Sequence, residues 1–201
     1  MISIVDYGLG NVFAFANIIK NFNVEFNIAR TSTDLDNADK IVLPGVGSFD
    51  WAIEKLDKSG MRNKLDELVL NKKKLVLGVC VGMQIMFESS EEGKLKGLSW
   101  IRGNVEKFTN NENNLLVPHI GWNKVNVKKY DNLFEGINNP HFYFLHSYYI
   151  NPKLSDCIQG TTNYGINFPS VIKNENIFGT QFHPEKSHSW GLKLINNFVR
   201  M

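Results

Sequence analysis

The chain has 201 residues, of which 43% are hydrophobic and 21% are charged, and its formal net charge is +2. This balance is typical of a globular protein and argues against intrinsic disorder and against a strongly basic surface for nucleic acid or membrane. Two cysteines are too few for a disulfide framework. A chain of this length can bury about 70% of its unfolded surface, so we expect one domain that spans residues 1–201.

The N-terminal segment lacks the basic residues and the long apolar run of a signal peptide. No stretch approaches the roughly 18 apolar residues that a membrane helix needs. We therefore expect a cytoplasmic protein in which a cysteine is a free thiol available for chemistry.

Short apolar runs alternate with helix-length segments in the first half of the chain. Strands are predicted at residues 2–5, 24–29, 40–43 and 75–79. Helices are predicted at residues 12–20, within 51–69 and from residue 83 onward. This alternation predicts βαβ units around a parallel sheet.

The second half contains shorter strand-like segments, separated by Asn, Gly and Pro turns. They lie at residues 99–108, 122–127, 142–150, 158–162 and 177–181. We expect them to extend the same sheet in an antiparallel or mixed manner. A closing helix is predicted at residues 191–199, and an exposed loop tip at residues 110–114.

The sharpest local feature is the sequence Gly-Val-Cys-Val-Gly at residues 78–82, where an apolar strand ends. It has the form of a nucleophile elbow with Cys80 as the nucleophile. The glycines permit a sharp turn, the N-terminus of a following helix favours the thiolate, and the N–H of Val81 is free to bind an oxyanion. The alternative is a small buried cysteine between packing glycines.

A cysteine nucleophile needs a base, and His183 has the most suggestive context. It follows a predicted strand, and Pro184 fixes the turn after it. Glu185 is close enough to orient the imidazole, so Cys80, His183 and Glu185 form a candidate triad. The alternative is a surface histidine beside a proline turn, with a solvated glutamate.

A second glycine-containing segment, Leu-Pro-Gly-Val-Gly-Ser at residues 43–48, also follows a predicted strand. Its backbone N–H groups can face a ligand, although an ordinary turn between strand and helix has the same composition. Sites of open α/β sheets form at the carboxyl ends of strands. We therefore expect this segment and Cys80 to face one crevice.

Two further segments contain aromatic and polar residues. Residues 118–123 are predicted to be a loop with a half-buried Trp122, and residues 142–149 a core strand. Cys157 is expected to be a buried packing residue. The Cys and His residues lack zinc-ligand spacing, so we expect no metal.

Three motifs together resemble those of the class I, or triad, glutamine amidotransferases. They are Gly-Val-Cys-Val-Gly-Met-Gln at 78–84, Gln-Phe-His-Pro-Glu at 181–185 and Pro-Gly-Val-Gly at 44–47. Within that family, the order and spacing of these motifs and of residues 6–11, 118–123 and 142–148 are similar to those of the glutaminase subunits of imidazole glycerol phosphate synthases. The resemblance covers the whole chain. It implies a flavodoxin-like α/β fold with a mixed, mostly parallel central sheet flanked by helices.

The resemblance implies a reaction. Cys80 would attack the side-chain amide of L-glutamine and form a glutamyl thioester. His183 would act as base and then as acid, releasing ammonia, and Glu185 would orient His183. No cofactor is implied.

The resemblance also implies three further sets of residues. The oxyanion hole would use backbone N–H groups of Val81 and of Val46 or Gly47, after a rearrangement of the loop. Glutamine would be held by Gly45, Gln84, His146, Ser147 and Tyr148. The partner interface would include Asn11, Trp122 and Asn123.

The implied partner is a (β/α)₈-barrel cyclase subunit that forms a heterodimer with this chain and receives the ammonia for histidine biosynthesis. A chain of 201 residues leaves no room for a synthase domain, so we expect the second half of the reaction on another chain. Activity of the isolated chain is expected to be low.

Two departures from the family pattern leave an alternative. Val81 replaces the more usual leucine, and His188 and Trp190 stand where smaller or more polar residues are common. A paralogue that supplies ammonia for amidation of a nucleotide-linked sugar would share the same chemistry. A catalytically silent binding module and a cysteine peptidase of related fold are further alternatives.

Overall fold

A computed structural model describes residues 1–109, 115–128 and 132–201. The loop tip predicted at residues 110–114 lies outside the described residues.

The first half of the chain alternates strands and helices, as predicted. It forms β1 (Ile2–Val5), α1 (Val12–Lys20), β2 (Phe26–Ala29), β3 (Lys40–Gly45), α2 (Phe49–Lys58), α3 (Arg62–Asp66), β4 (Leu75–Cys80) and α4 (Val81–Gln84). A π-helical turn, Glu67–Asn71, follows α3.

The second half consists mainly of strands and ends in a helix. It forms β5 (Ser89–Ser90), β6 (Gly103–Lys107), β7 (His119–Lys124), β8 (Asn126–Val127), β9 (His141–His146), β10 (Tyr148–Pro152), β11 (Ile158–Tyr164), β12 (Ile166–Asn174), β13 (Ile177–Thr180) and α5 (His188–Arg200).

The central sheet has eight strands in the order β2-β1-β3-β4-β13-β12-β11-β8. The first five pair in parallel, and their order is that of flavodoxin-like sheets. The last three are added in antiparallel fashion. The predicted α/β fold with a mixed, mostly parallel sheet is confirmed.

The inner strands and the helices bury the side chains that their sequence patterns predict. All four residues of β1 are buried, as expected of a parallel strand covered on both faces. In α1 the buried residues Val12, Phe15, Ala16 and Ile19 follow the spacing of one helix face. This packing leaves the carboxyl ends of the parallel strands free to carry a site.

The helix predicted from residue 83 onward is shorter than expected. Helix α4 is only one turn long and ends at Gln84. The carbonyl oxygens of Ile85 and Met86 accept hydrogen bonds from the N–H groups of Leu98 (2.7 Å) and Ile101 (3.1 Å). These carbonyls are therefore unavailable to a further helical turn.

The second half also differs from prediction in its sheets. Residues 118–123 were expected to be a loop, but strand β7 begins at His119 and includes the start of the strand predicted at residues 122–127. It pairs antiparallel with β9 in a separate two-stranded sheet. Strands β10, β6 and β5 form another small sheet rather than an extension of the central one. Strand β12 was not predicted, and it links β11 to β13 within the central sheet.

Two strands, β3 and β12, contain a proline within the paired segment. Strand β3 continues through Pro44 to Gly45, past Val42, which is its last residue paired with β1. Pro169 lies in β12 before Val171, where the pairing with β13 begins. Each proline therefore sits where its strand is paired on one side only, a position in which a missing N–H is tolerated.

Candidate active site

The predicted crevice lies at the carboxyl ends of β3, β4 and β13. Gly45 and Cys80 end β3 and β4 and are paired with each other in the sheet, and His183 comes shortly after β13. A cavity of about 260 Å³ opens here. It is lined by Val46, Gly47, Cys80, Val81, Gln84, Glu92, Pro118, Leu145, His146, Ser147, Tyr148 and His183.

The nucleophile turn requires its two glycines for close packing. A Cβ atom on Gly82 would overlap the carbonyl oxygen of Leu43, and one on Gly78 would lie 2.8 Å from the Cα of Met83. Cys80 has φ 56° and ψ −117°, a strained conformation for a residue with a side chain. Because α4 has only four residues, its dipole contributes little to stabilising a Cys80 thiolate, contrary to our expectation from the sequence.

The sulfur of Cys80 is buried among polar groups. The Nε2 group of Gln181 donates toward Sγ at 3.7 Å, and the carbonyl oxygen of Leu145 lies 3.9 Å from Sγ. Gln181 belongs to the motif around His183, but the sequence did not assign it a role. Its amide donor can stabilise negative charge on the sulfur.

His183 connects Cys80 with Glu185. The Nδ1 atom of His183 is 2.9 Å from Oε1 of Glu185, and Nδ2 of Asn11 donates to the same oxygen at 2.6 Å. Burial acts to lower the pKa of His183. The negative charge of Cys80, a hydrogen bond with Cys80 and the interaction with Glu185 outweigh burial, and they raise this pKa above its ordinary value. The surroundings of His183 therefore favour its protonated form beside the Cys80 sulfur.

The loop that carries His183 is fixed by the neighbouring strand β9. The N–H of His183 donates to the carbonyl of Tyr143 at 2.9 Å. The hydroxyl of Ser187 donates to the carbonyl of His183 at 2.6 Å and accepts the N–H of Tyr143 at 3.0 Å. The imidazole is thus positioned by backbone contacts as well as by Glu185.

Gln84 and His146 both hold the backbone of Tyr148 at the cavity wall. The Nε2 group of Gln84 donates to the carbonyl of Tyr148 and to Oε1 of Gln181, at 3.0 Å each. Nδ1 of His146 is 2.8 Å from the same carbonyl. Burial lowers the pKa of His146 to about 3, so this ring is neutral and His183 is the cavity-lining histidine suited to acid–base chemistry.

The predicted oxyanion residues lie together at the cavity. Val46 and Gly47 line it beside Val81. Gly47 has φ +89°, a backbone conformation that favours glycine.

Sequence reasoning missed Glu92 and Tyr7. Glu92 lines the cavity, and its Oε2 accepts the N–H of Phe49, the first residue of α2, at 2.8 Å. Burial raises the pKa of Glu92. Tyr7 is buried, and its pKa is raised by burial and then by the charge of Cys80. Glu92 lies outside the motifs that carry the family resemblance, and Tyr7 lies within the segment 6–11 but was given no role, so the fold reveals the proximity of both residues to the site.

The residues predicted at a partner interface fall into two groups. Asn11 contacts Glu185 directly, as described above. Trp122 is 45% exposed and stacks on His188, with ring centroids 5.1 Å apart, and Trp190 lies 6.4 Å from it. Asn123 is half-buried next to Trp122. His188 and Trp190, which depart from the family pattern, therefore belong to one aromatic group with Trp122, in which Trp122 and His188 are exposed and Trp190 is half-buried.

Within residues 1–109, 115–128 and 132–201, no group of three or more His, Cys, Asp or Glu side chains is arranged to hold a metal ion. No helix in these ranges is long and apolar enough to cross a bilayer. Cys157 is buried, and its Sγ lies 3.0 Å from the carbonyl of Leu154.

Comparison with known proteins identifies the family to which the chain belongs. The family model of glutamine amidotransferase class-I matches residues 3–201. The imidazole glycerol phosphate synthase subunit HisH of Leptospira borgpetersenii is 50% identical over 204 residues, and that of Methanocaldococcus jannaschii is 47% identical over 203 residues. Both alignments cover 100% of each chain.

Solved structures show the same fold at low sequence identity. PurLQS from Thermotoga maritima has a TM-score of 0.74 at 16% identity, covering 99% of this chain and 97% of that one. A glutamine amidotransferase from the same organism has a TM-score of 0.63 at 18% identity, covering 92% and 75%. The chain therefore belongs to the class-I glutamine amidotransferases and, within them, to the imidazole glycerol phosphate synthase subunit HisH group.

Proposed function

We propose that this chain, as one domain of residues 1–201, is the glutaminase subunit of an imidazole glycerol phosphate synthase. The observation that carries the proposal is the buried His183, held between Cys80 and Glu185 at the wall of a cavity. The full-length similarity to HisH subunits supports the pathway and does not favour the alternative of sugar amidation.

In the proposed reaction, the Cys80 thiolate attacks the side-chain amide carbon of L-glutamine. The N–H of Val81, with one from Val46 or Gly47, stabilises the oxyanion. The C–N bond then breaks as the His183 imidazolium gives its proton to the departing nitrogen, which leaves as ammonia.

Hydrolysis of the resulting thioester completes the cycle. His183, now neutral, takes a proton from water as the water oxygen attacks the thioester carbon. The C–S bond breaks, glutamate leaves and the imidazolium–thiolate pair is restored. Glu185 keeps the imidazole oriented in both halves of the reaction.

The cavity wall supplies groups for the rest of the substrate. Glu92 is a carboxylate positioned to pair with the α-ammonium group of glutamine. The α-carboxylate end and the body of glutamine are proposed to contact the backbone around Gly45 and residues Ser147 and Tyr148. Gln84 and His146 act mainly by holding the Tyr148 carbonyl.

The proposed partner is a (β/α)₈-barrel cyclase subunit that docks on the face with Asn11, Trp122 and Asn123 and forms a heterodimer. Free ammonia is mostly protonated near neutral pH, and the ammonium ion is a poor nucleophile, so a sealed path between the two sites is an advantage. A cytoplasmic location, which keeps Cys80 reduced, is part of the same proposal.

The proposal is tested with Cys80→Ala in the complex with the cyclase. We expect this variant to lose glutamine-dependent synthesis and to retain synthesis driven by added ammonium, because only the nucleophile is missing. Cys157→Ser is the matched control and should keep both activities. Glutamine hydrolysis by Cys80→Ala would contradict the assignment of the nucleophile.

A further inference from the structure

A pair of histidines outside the triad connects to the glutamine cavity. His119 on β7 lies opposite His146 on β9, and its Nδ1 is 3.0 Å from Nε2 of His146. Nδ1 of His146 is in turn 2.8 Å from the carbonyl oxygen of Tyr148, which also accepts from Gln84. His119 is buried and is not among the residues that line the cavity. The side-chain hydrogen-bond path from His119 to the cavity therefore runs through His146.

The hydrogen positions of this pair follow from its cavity end. The carbonyl of Tyr148 can only accept a hydrogen bond, so the hydrogen of His146 resides on Nδ1. The neutral ring then presents a lone pair at Nε2, which accepts the N–H at Nδ1 of His119.

The other end of the pair requires the same arrangement. The side chain of Asn123 accepts the N–H of Lys124 through Oδ1 at 2.8 Å, and its Nδ2 donates to the carbonyl of Asn163 at 2.9 Å. These contacts fix the amide orientation, so Nδ2 also donates to Nε2 of His119 at 3.2 Å. Nε2 of His119 thus carries no hydrogen, which again places the hydrogen on Nδ1.

Packing fixes the ring of His119 independently of these hydrogen bonds. The ring stacks on Tyr164, with centroids 3.9 Å apart, and on Phe144, with centroids 4.7 Å apart. Burial holds the pKa of His119 at about 4, so the neutral form that the hydrogen bonds require is also the form that the environment favours.

We propose that His119 is a positioning residue of the glutaminase reaction, because its Nδ1–H fixes the tautomer of His146 and so holds the Tyr148 carbonyl at the cavity wall. This inference rests on the proposed function. Without the hydrogen bond, the proton of His146 can move to Nε2. Two lone pairs would then face each other between Nδ1 and the Tyr148 carbonyl, and the backbone beside bound glutamine would shift.

Two substitutions separate this role from a purely structural one. His119→Phe keeps the stacked ring and loses the N–H donor. His119→Asn loses the ring and can place an amide N–H near the position of Nδ1. In the complex with the cyclase, we expect the KM for L-glutamine to rise about tenfold in the Phe variant, with a smaller change in kcat. The Asn variant should stay within about threefold of wild type. Tyr164→Phe, which retains the stacking ring, is the matched control.

The outcomes distinguish the inference from the proposed function. A wild-type complex that makes product from ammonium but not from glutamine would overturn the proposed function and the positioning role together. A working wild type with an unimpaired Phe variant, or with the Asn variant more impaired than the Phe variant, would overturn the positioning role alone.

A spectroscopic measurement on the wild-type protein tests the same inference and does not depend on whether the variants fold. Nitrogen-15 NMR should report both His119 and His146 as neutral rings with the hydrogen on Nδ1 at about pH 7. A hydrogen on Nε2 of either ring would overturn the proposal.

Discussion

Glu185 contacts its neighbours through one carboxylate oxygen. Its Oε1 interacts with Nδ1 of His183 and accepts a hydrogen bond from Asn11, whereas its buried Oε2 has no hydrogen-bond partner among the described residues. A buried carboxylate with one unpartnered oxygen carries a desolvation cost. That cost is consistent with a function, namely holding the proton on His183 beside the Cys80 thiolate.

Glu185→Gln should therefore make Cys80 less reactive. Loss of the negative charge removes one of the interactions that raise the pKa of His183, so the imidazolium is held less firmly and supports negative charge on the Cys80 sulfur less strongly. We expect alkylation of Cys80 by iodoacetamide at about pH 7 to slow roughly tenfold, the effect of about one pKa unit. The rate is measured in a Cys157→Ser background, with Asn11→Ala as a control that keeps the charge. An unchanged rate in Glu185→Gln would show that the carboxylate does not support the ion pair.

Glu92 should give glutamine binding a characteristic pH dependence. Burial raises the pKa of Glu92 above the ordinary value of a glutamate, so its charge is lost at a higher pH than that of an exposed glutamate. We expect the KM of wild type for glutamine to increase as the pH falls through this raised pKa. Glu92→Gln should have a high KM with little dependence on acid pH.

The neighbouring Glu91 provides the matched control for that measurement. It also accepts a backbone N–H, from Lys107 at 2.7 Å, but it does not line the cavity. Glu91→Gln should therefore keep the wild-type KM profile, and an equal effect of the two substitutions would count against a direct role for Glu92.

At the scale of elements, the sequence predicts the order of most strands and motifs along the chain. It predicts less well which strands pair with each other in the sheets. The apolar runs that became β1, β3 and β4 carry their own signal because both faces are buried. The one-turn length of α4 depends on the carbonyls of Ile85 and Met86, which accept hydrogen bonds from the N–H groups of Leu98 and Ile101, more than ten residues later in the chain. No local pattern contains that information.

The candidate site shows the same division. Cys80, His183 and Glu185 stand in recognisable motifs, and the fold brings them together. Glu92 and His119 became evident only when strand pairing and loop paths placed them beside the cavity and beside His146.

The contact between β3 and the nucleophile turn yields a stability prediction. A methyl group on Gly82 would overlap the backbone carbonyl of Leu43, and neither the methyl group, which is fixed to the Cα, nor the carbonyl can rotate away. We expect Gly82→Ala to lower the free energy of unfolding by about 3 kcal/mol and to abolish glutaminase activity. Gly60 has φ +73° with open space around its Cβ position, so Gly60→Ala should cost only about 1 kcal/mol. Urea denaturation measures both values, and equal losses would contradict the proposed clash.

At the scale of the whole molecule, the proposed docking face and the triad share structural elements. Asn11 begins the segment that enters α1 and contacts Glu185. Trp122 lies 6.3 Å from the ring of Tyr143, whose carbonyl accepts the N–H of His183. A partner that shifts either element would therefore act on residues in direct contact with the triad, which is consistent with the expected low activity of the isolated chain.

The docking face can be tested by removing its largest exposed side chain. Trp122 is 45% exposed and is held rigidly against His188, the arrangement of an aromatic anchor at an interface. We expect Trp122→Ala to raise the dissociation constant for the proposed barrel cyclase about 30-fold, equivalent to about 2 kcal/mol. Leu70 is 40% exposed and precedes β4, at the opposite edge of the sheet, so Leu70→Ala should bind like wild type. Isothermal titration calorimetry measures both constants. If the two variants bound the cyclase equally well, the partner would have to dock elsewhere, and the ammonia path would have to leave the triad by another face.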